Sequence, residues 1–194
     1  SLFPQTGEKA TDTIKPFHRS VSDWITNNQM AYPYYIDLQY GHKVLSKFGW
    51  KLFTSGKLLN DAYFSNHLAA HFIETKDWKK LTTLITNIDF FDFFYKQNRK
   101  HELMRFCLQL FNSKNLAAAF KKSIDELVEN GIEEDRLYDF TNEIAQMLRD
   151  MGLPGEALLF AQQSLNIQKK ITGEDDDKIA DIYSHTESDS PVNL

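Results

Sequence analysis

The sequence has little cysteine, glycine and proline, and each scarcity excludes a class of protein. A single cysteine, Cys107, occurs among 194 residues, so no internal disulfide can form and we expect a reducing compartment, the cytoplasm. Eight glycines and five prolines are too few for a collagen-like or proline-rich linker protein. No run of about 18 apolar residues occurs, so the sequence predicts no membrane span and no membrane partner.

Positive charge and catalytic motifs are scarce as well. The chain has 22 Lys and Arg against 27 Asp and Glu, a net charge of -5, which argues against a nucleic-acid partner because such partners need a basic surface. The pair Gly56-Lys57 is followed by leucine, whereas a phosphate-binding loop needs serine or threonine after the lysine. We therefore predict no nucleotide or other cofactor, no catalytic residue and no enzyme activity.

Helical periodicity dominates what is present. From Gly41 onward apolar residues recur every three or four positions, as in Val44, Phe48 and Leu52, which predicts a series of helices joined by short loops. Residues 14–18 and 31–38 instead read as short strands on either side of a small helix. The expected fold is mainly α, with antiparallel helix pairs stacked as an α-solenoid and a small α+β piece at the N-terminus.

A repeat pattern is visible near the C-terminus. Ala145 and Ala157 are twelve residues apart, with Gly152 between them, as are the small-residue positions of the tetratricopeptide (TPR) pattern. Residues 137–183 resemble the longer TPR of kinesin light chains. The resemblance implies that the first helix of the repeat lines a protein-binding groove, and the predicted groove residues are Asn142, Gln146 and Arg149.

Residues 14–112 resemble a second family, the NACHT-type signal-transducing NTPases, including nephrocystin-like members. The resemblance runs through Phe-His-Arg-Ser-Val-Ser-Asp-Trp at 17–24, Gly-His at 41–42, the three residues Tyr63, His67 and His71, and Trp-x-x-Leu at 78–81. In that family this region lies between the ATPase core and the repeat array. It implies a winged-helix end followed by a helical spacer, which would contact an upstream NTPase core.

Together these patterns predict four segments and a function. A partial winged-helix-like segment with a flexible arm is expected over residues 1–40, a helical spacer over 41–132, a TPR-like repeat over 133–184 and a disordered tail over 185–194. The predicted function is a non-catalytic linker and TPR scaffold within a multidomain NTPase, with protein or peptide partners. A stand-alone TPR-like adaptor that binds peptides is the alternative.

Two further residue clusters allow a structural and a functional interpretation. His67 and His71 are four residues apart on one helical face, the spacing of zinc ligands, so a metal-dependent hydrolase is a remote alternative. No glutamate follows His67 and no cysteine lies nearby, which favours packed, hydrogen-bonded histidines and no metal. Five aromatic residues in one short helix favour a core helix, with a docking patch as the functional alternative: Phe90, Phe91, Phe93, Phe94 and Tyr95.

Overall fold

A computed structural model describes residues 19–111 and 116–172. Within these residues the chain forms nine α-helices and one short 3-10 helix, and no strand. The mainly helical prediction is therefore confirmed for the described part of the chain. The helices are α1 (Arg19–Ile25), α2 (Leu38–Thr54), α3 (Ala62–Glu74), α4 (Trp78–Ile85), α5 (Ile88–Lys96), α6 (Lys100–Phe111), α7 (Leu116–Glu129), α8 (Glu134–Asp150) and α9 (Pro154–Thr172), with the 3-10 helix at Leu58–Asn60.

The chain divides into two compact units, and the division falls after Asp77. The first unit contains α1 to α3 and the second contains α4 to α9. This position lies inside the 41–132 segment that the sequence analysis treats as one spacer. The boundaries after residues 40, 132 and 184 stay predictions, and the tail and the residues beyond 172 lie outside the described part of the chain.

The strand predicted over residues 31–38 is wrong. Residues 31–34 form a turn, in which Tyr34 donates its backbone N–H to the carbonyl of Ala31, and α2 begins at Leu38. Asp37 caps that helix, since its carboxylate accepts the backbone N–H of Tyr40 at 3.0 Å. Aromatic residues favour strands only where a neighbouring strand can pair with them, and the described residues supply none. The other predicted strand, residues 14–18, lies outside the described residues.

The α2–α3 pair forms the core of the first unit. Asp61 caps α3 by accepting the N–H groups of Tyr63 and Phe64, and the buried face of α3 includes Phe64, Leu68 and Phe72. Gly49 of α2 lies against this face, where an added Cβ would stand 2.5 Å from Leu68 Cδ1 and 2.7 Å from Phe64 Cδ1. The two helices therefore come closer together here than a larger residue would allow.

Aromatic residues form the core of the second unit. The ring of Phe91 in α5 contacts Phe120 of α7 and Phe140 of α8 edge-on, with centroids 6.0 and 5.1 Å apart. Phe120 also contacts Phe160 of α9 at 6.5 Å. Edge-to-face pairs at these distances are favourable beyond the area that they bury. These contacts join α5, α7, α8 and α9 through one aromatic cluster.

Helices α8 and α9 form an antiparallel pair. A three-residue turn joins them, in which Gly152 has a φ of +76°, a left-handed conformation that glycine adopts easily. Pro154 occupies the first helical position of α9, where its missing N–H has no helical partner to lose. Ala145 and Ala157 are both buried, as expected for small residues between closely packed helices.

The described helices were also compared with the length and hydropathy that a bilayer requires. None of the helices within residues 19–111 and 116–172 is long and apolar enough to cross a membrane. The longest, α9, has 19 residues, and its last turn carries Lys169 and Lys170.

Candidate functional site

A chain of hydrogen bonds links three side chains in the first unit. His71 lies near the end of α3 and is 6% exposed. Its Nδ1 lies 2.9 Å from Nδ1 of His42 in α2. Its Nε2 lies 3.0 Å from the hydroxyl oxygen of Tyr63, which precedes His71 by eight residues in α3. We call His42, His71 and Tyr63 the histidine clasp, because the first of these bonds ties α2 to α3.

The clasp requires His71 to use one ring nitrogen as a donor and the other as an acceptor, or to be charged. In a neutral imidazole one nitrogen carries the proton and the other accepts. If Tyr63 donates to Nε2, then His71 Nδ1–H donates to His42. If His42 donates to Nδ1 of His71 instead, then His71 donates its Nε2–H to the hydroxyl oxygen of Tyr63. The same three groups can therefore hold either of two proton arrangements.

Electrostatics oppose a charge on His71. Burial, and then the neighbouring His42 and His67, lower the pKa of His71 to about 4, and Glu74 opposes this shift only in part. The ordinary value for histidine is 6.5. A buried imidazole loses the hydration that stabilises its cation, and nearby cations repel it further. His71 is therefore neutral at neutral pH.

The metal alternative at His67 and His71 finds no supporting geometry. His67 is exposed, and its ring stacks at a tilt on Tyr63 with centroids 4.8 Å apart. Both ring nitrogens of His71 already have hydrogen-bond partners. In the part of the chain that the structure describes, no group of three or more His, Cys, Asp or Glu side chains is placed to hold a metal ion. His71 is thus packed and hydrogen-bonded as predicted, whereas His67 is exposed. The absence of a metal stays a prediction.

Helix α2 also carries apolar side chains that stay largely exposed. One of them, Phe48, lies at the edge of the contact with α3, where its ring centroid is 5.3 Å from that of Phe64. Tyr40, Val44 and Phe48 follow one another at four-residue spacing and are 67%, 47% and 52% exposed. We call these three residues the α2 stripe. The residues of α2 that are buried are small, namely Ser46 and Gly49. The spacing of Val44 and Phe48 predicts a helical stripe but does not indicate that these residues face solvent.

Most of the α5 aromatic cluster belongs to the core. Phe90, Phe91 and Phe94 are 1%, 0% and 0% exposed, so these three side chains cannot offer a surface to a partner. Phe93 and Tyr95 are half-buried, and Tyr95 donates its hydroxyl to the backbone carbonyl of Glu143 at 3.3 Å. The alternative of a docking patch over all five residues is therefore wrong, because three of them are core residues.

The predicted groove residues share one face of α8 but differ in exposure. Asn142 is half-buried, while Gln146 and Arg149 are exposed; spacings of four and three residues place them in one row. A separate cavity of about 310 Å³ lies between the ends of α7, α8 and α9. Its wall includes Leu137, Ile167 and Lys170 but none of the three groove residues. This cavity, whose wall is part apolar and part polar, is thus separate from the row on α8.

Glu143 occupies an unfavourable electrostatic position beside that row. Burial raises the pKa of its carboxyl to about 7, with Asp92 and Asp139 adding to the shift and Lys96 opposing it. Arg136 lies one turn before Asp139 and pairs with Asp89 and Asp92 of α5. Sequence spacing gives no signal for this cluster, because Arg136 lies 47 and 44 positions along the chain from its partners Asp89 and Asp92.

Comparison with protein-family models, with curated proteins and with solved structures finds no match to this chain. The bonds, exposures and charges described above are therefore the observations from which a function is inferred. The most informative are the histidine clasp, the α2 stripe and the α8–α9 pair.

Proposed function

We propose that this chain is a non-catalytic helical linker and TPR-like scaffold of a multidomain signal-transducing NTPase, which makes contacts within that protein and with protein partners in the cytoplasm. The α2 stripe is the observation that carries the proposal. A helix that is apolar on two sides is typical of one covered on both. In the first unit, α3 covers one side of α2 and contacts Phe48 of the stripe, while Tyr40, Val44 and about half of Phe48 stay exposed to solvent.

The energetics favour a partner for the stripe. Burying a large apolar side chain that was exposed contributes about 1.5–3 kcal/mol. Three adjacent residues, one of them phenylalanine and one tyrosine, can anchor a small interface of the kind that joins domains within a chain. Large exposed apolar surfaces mark such interaction sites in soluble proteins. The resemblance to NACHT-type proteins makes the upstream NTPase core the expected partner.

The second unit supports the TPR-like part of the proposal. Its last two helices have 17 and 19 residues, a short turn and buried alanines at positions twelve apart. Phe120 of α7 contacts both Phe140 and Phe160, so the preceding helix packs on this pair. A helix pair that stacks on its neighbour in this way is the unit of an α-solenoid.

Co-purification tests the contact proposed for the α2 stripe. The parent reading frame supplies the segment encoded directly upstream, which is co-expressed with this chain carrying an affinity tag. We expect the wild type to retain that segment and the variant Tyr40→Ser/Val44→Ser to lose it, with an unchanged circular dichroism spectrum. The matched control is Leu158→Ser/Leu159→Ser, because these residues are 51% and 62% exposed on α9.

Two results would contradict the proposal. Equal retention by both double variants would show that the stripe does not make the contact. A parent reading frame without an NTPase core would remove the proposed context. The non-catalytic part is tested separately: we expect no ATP hydrolysis above that of a heat-inactivated sample, and turnover that survives further purification would reject it.

The stand-alone adaptor remains a second candidate because of the polar row on α8. Arg149 can pair with a carboxylate, and amide side chains such as Gln146 can bond a peptide backbone. An array of short peptides with free C-terminal carboxylates tests this function. Binding that Gln146→Ala/Arg149→Ala abolishes and Tyr40→Ser/Val44→Ser leaves intact would favour the adaptor over the linker.

A further inference from the structure

The histidine clasp ties two specific regions of the first unit together. His42 lies in the first half of α2, and His71 lies in the last turn of α3. Their Nδ1–Nδ1 bond is therefore a polar link at one end of a helix pair whose middle is held by the apolar contacts of Gly49 with Leu68 and Phe64.

The number of protons on the two rings decides whether this bond can exist. A neutral pair forms it, because one Nδ1 carries a hydrogen and the other a lone pair. A pair with one added proton also forms it, because a charged imidazole donates to a neutral one. With both rings charged, each Nδ1 is a donor, so no acceptor remains and two cations face each other.

The other groups around His71 do not replace the lost bond. His67 and Glu74 on α3 act on its charge, in opposite directions, and Tyr63 holds its Nε2. On α2 the facing titratable group is His42. The 3-10 helix that also packs on α3 has the sequence Leu-Leu-Asn and adds no titratable group.

We propose that the histidine clasp is a proton-controlled link, which holds the first half of α2 against α3 while at least one of the two imidazoles is neutral and releases it when both are charged. Release would free the helical segment that carries Tyr40 and Val44. The link is a property of the isolated chain, so it is independent of whether the α2 stripe contacts an NTPase core.

Nuclear magnetic resonance of the full chain, with a chelator present to remove metal ions, tests the link. The ring nitrogen shifts of His42 and His71 report their protonation, and amide hydrogen exchange reports the protection of residues 42–46, corrected for the intrinsic effect of pH on exchange. Between about pH 7 and about pH 3.5 we expect these amides to lose protection by about tenfold or more, in step with uptake of the second proton by the pair.

The variant His42→Asn isolates the cause. An asparagine side chain places an amide near the position of Nδ1 and does not titrate, so its oxygen can accept from a charged His71. We expect this variant to keep α2 attached in acid, with a loss of protection below about threefold. The matched control His101→Asn changes an exposed histidine of the second unit and should respond to acid as the wild type does.

The outcomes are distinct. A wild-type loss of protection that follows ring protonation and disappears in His42→Asn supports the link. An acid response that is the same in the wild type and in His42→Asn overturns it, as does loss of α2 protection while His71 stays neutral. If His42→Asn does not fold, the wild-type titration decides alone, and a His71 ring that charges with no change in residues 42–46 overturns the proposal.

Discussion

Replacing Gly49 with alanine should weaken the first unit, although the same change normally strengthens a helix. Gly49 lies in the interior of α2 and has a helical backbone. The new Cβ would stand 2.5 Å from Leu68 Cδ1 and 2.7 Å from Phe64 Cδ1. Carbon atoms pack at about 3.5–4.0 Å, so both side chains would have to move away or the helices would have to separate.

Two opposing effects set the size of the change. Alanine in a helix interior is more favourable than glycine by about 1 kcal/mol. Inserting a methyl group into a packed core costs about 1–3 kcal/mol, and the cost here lies at the upper end because Leu68 is fully buried and Phe64 nearly so. The difference between the two effects leads us to expect that Gly49→Ala lowers the free energy of unfolding of this unit by about 2 kcal/mol.

Gly41→Ala is the matched control, since Gly41 belongs to the same helix and has no atom within 4 Å of an added Cβ. It should raise stability by about 0.5–1 kcal/mol. Urea denaturation, with hydrogen exchange of the α3 amides to localise the effect, measures both variants. If Gly49→Ala stabilises α3 as much as Gly41→Ala does, the close approach of the two helices is refuted.

Three further changes test the second unit. Glu143→Gln should stabilise the unit at about pH 8, where the carboxylate is charged, and have little effect at about pH 4. The reason is that the pKa of Glu143 is raised in the folded state, so the stability that this group contributes falls as pH rises from 4.5 to about 7. Equal effects in urea titrations at both pH values would contradict this. Burial also raises the pKa of the Cys107 thiol, so iodoacetamide should modify it only after unfolding, and rapid labelling of the native protein, followed by mass spectrometry, would show that it is accessible. Phe91→Ala should lower the free energy of unfolding by about 3–5 kcal/mol, and the half-buried Phe93→Ala by clearly less; similar midpoints of urea denaturation would argue against the central position of Phe91.

Residue type alone indicates three of the helix ends in the second unit. Gly131 and Gly152 have φ values of +72° and +76° at the ends of α7 and α8, and Pro154 begins α9, as their residue types indicate. The start of α5 offers two candidate caps, Asn87 and Asp89, and the structure uses Asn87, whose side chain accepts the backbone N–H of Phe90. Both residues are good caps, so spacing alone could not separate them.

Tertiary contacts account for what the sequence could not predict. Val44 and Phe48 have helical spacing, but that spacing does not say which side of α2 the rest of the unit covers. The covered side is marked by Ser46 and Gly49, whose small size matters only when α3 lies against them. The bond between His42 and His71 joins residues 29 positions apart, and no local pattern reports such a pair.

Helix α2 uses different positions for packing on α3 and for the proposed contact with a partner. Positions 46 and 49 must stay small in any homologous chain that keeps the same helix pair, whatever that chain does. Positions 40 and 44 can become polar without disturbing the pair, so evolution would keep them apolar only where something binds there. An alignment of orthologues at these positions would therefore show separately whether the helix pair is conserved and whether the contact with a partner is conserved.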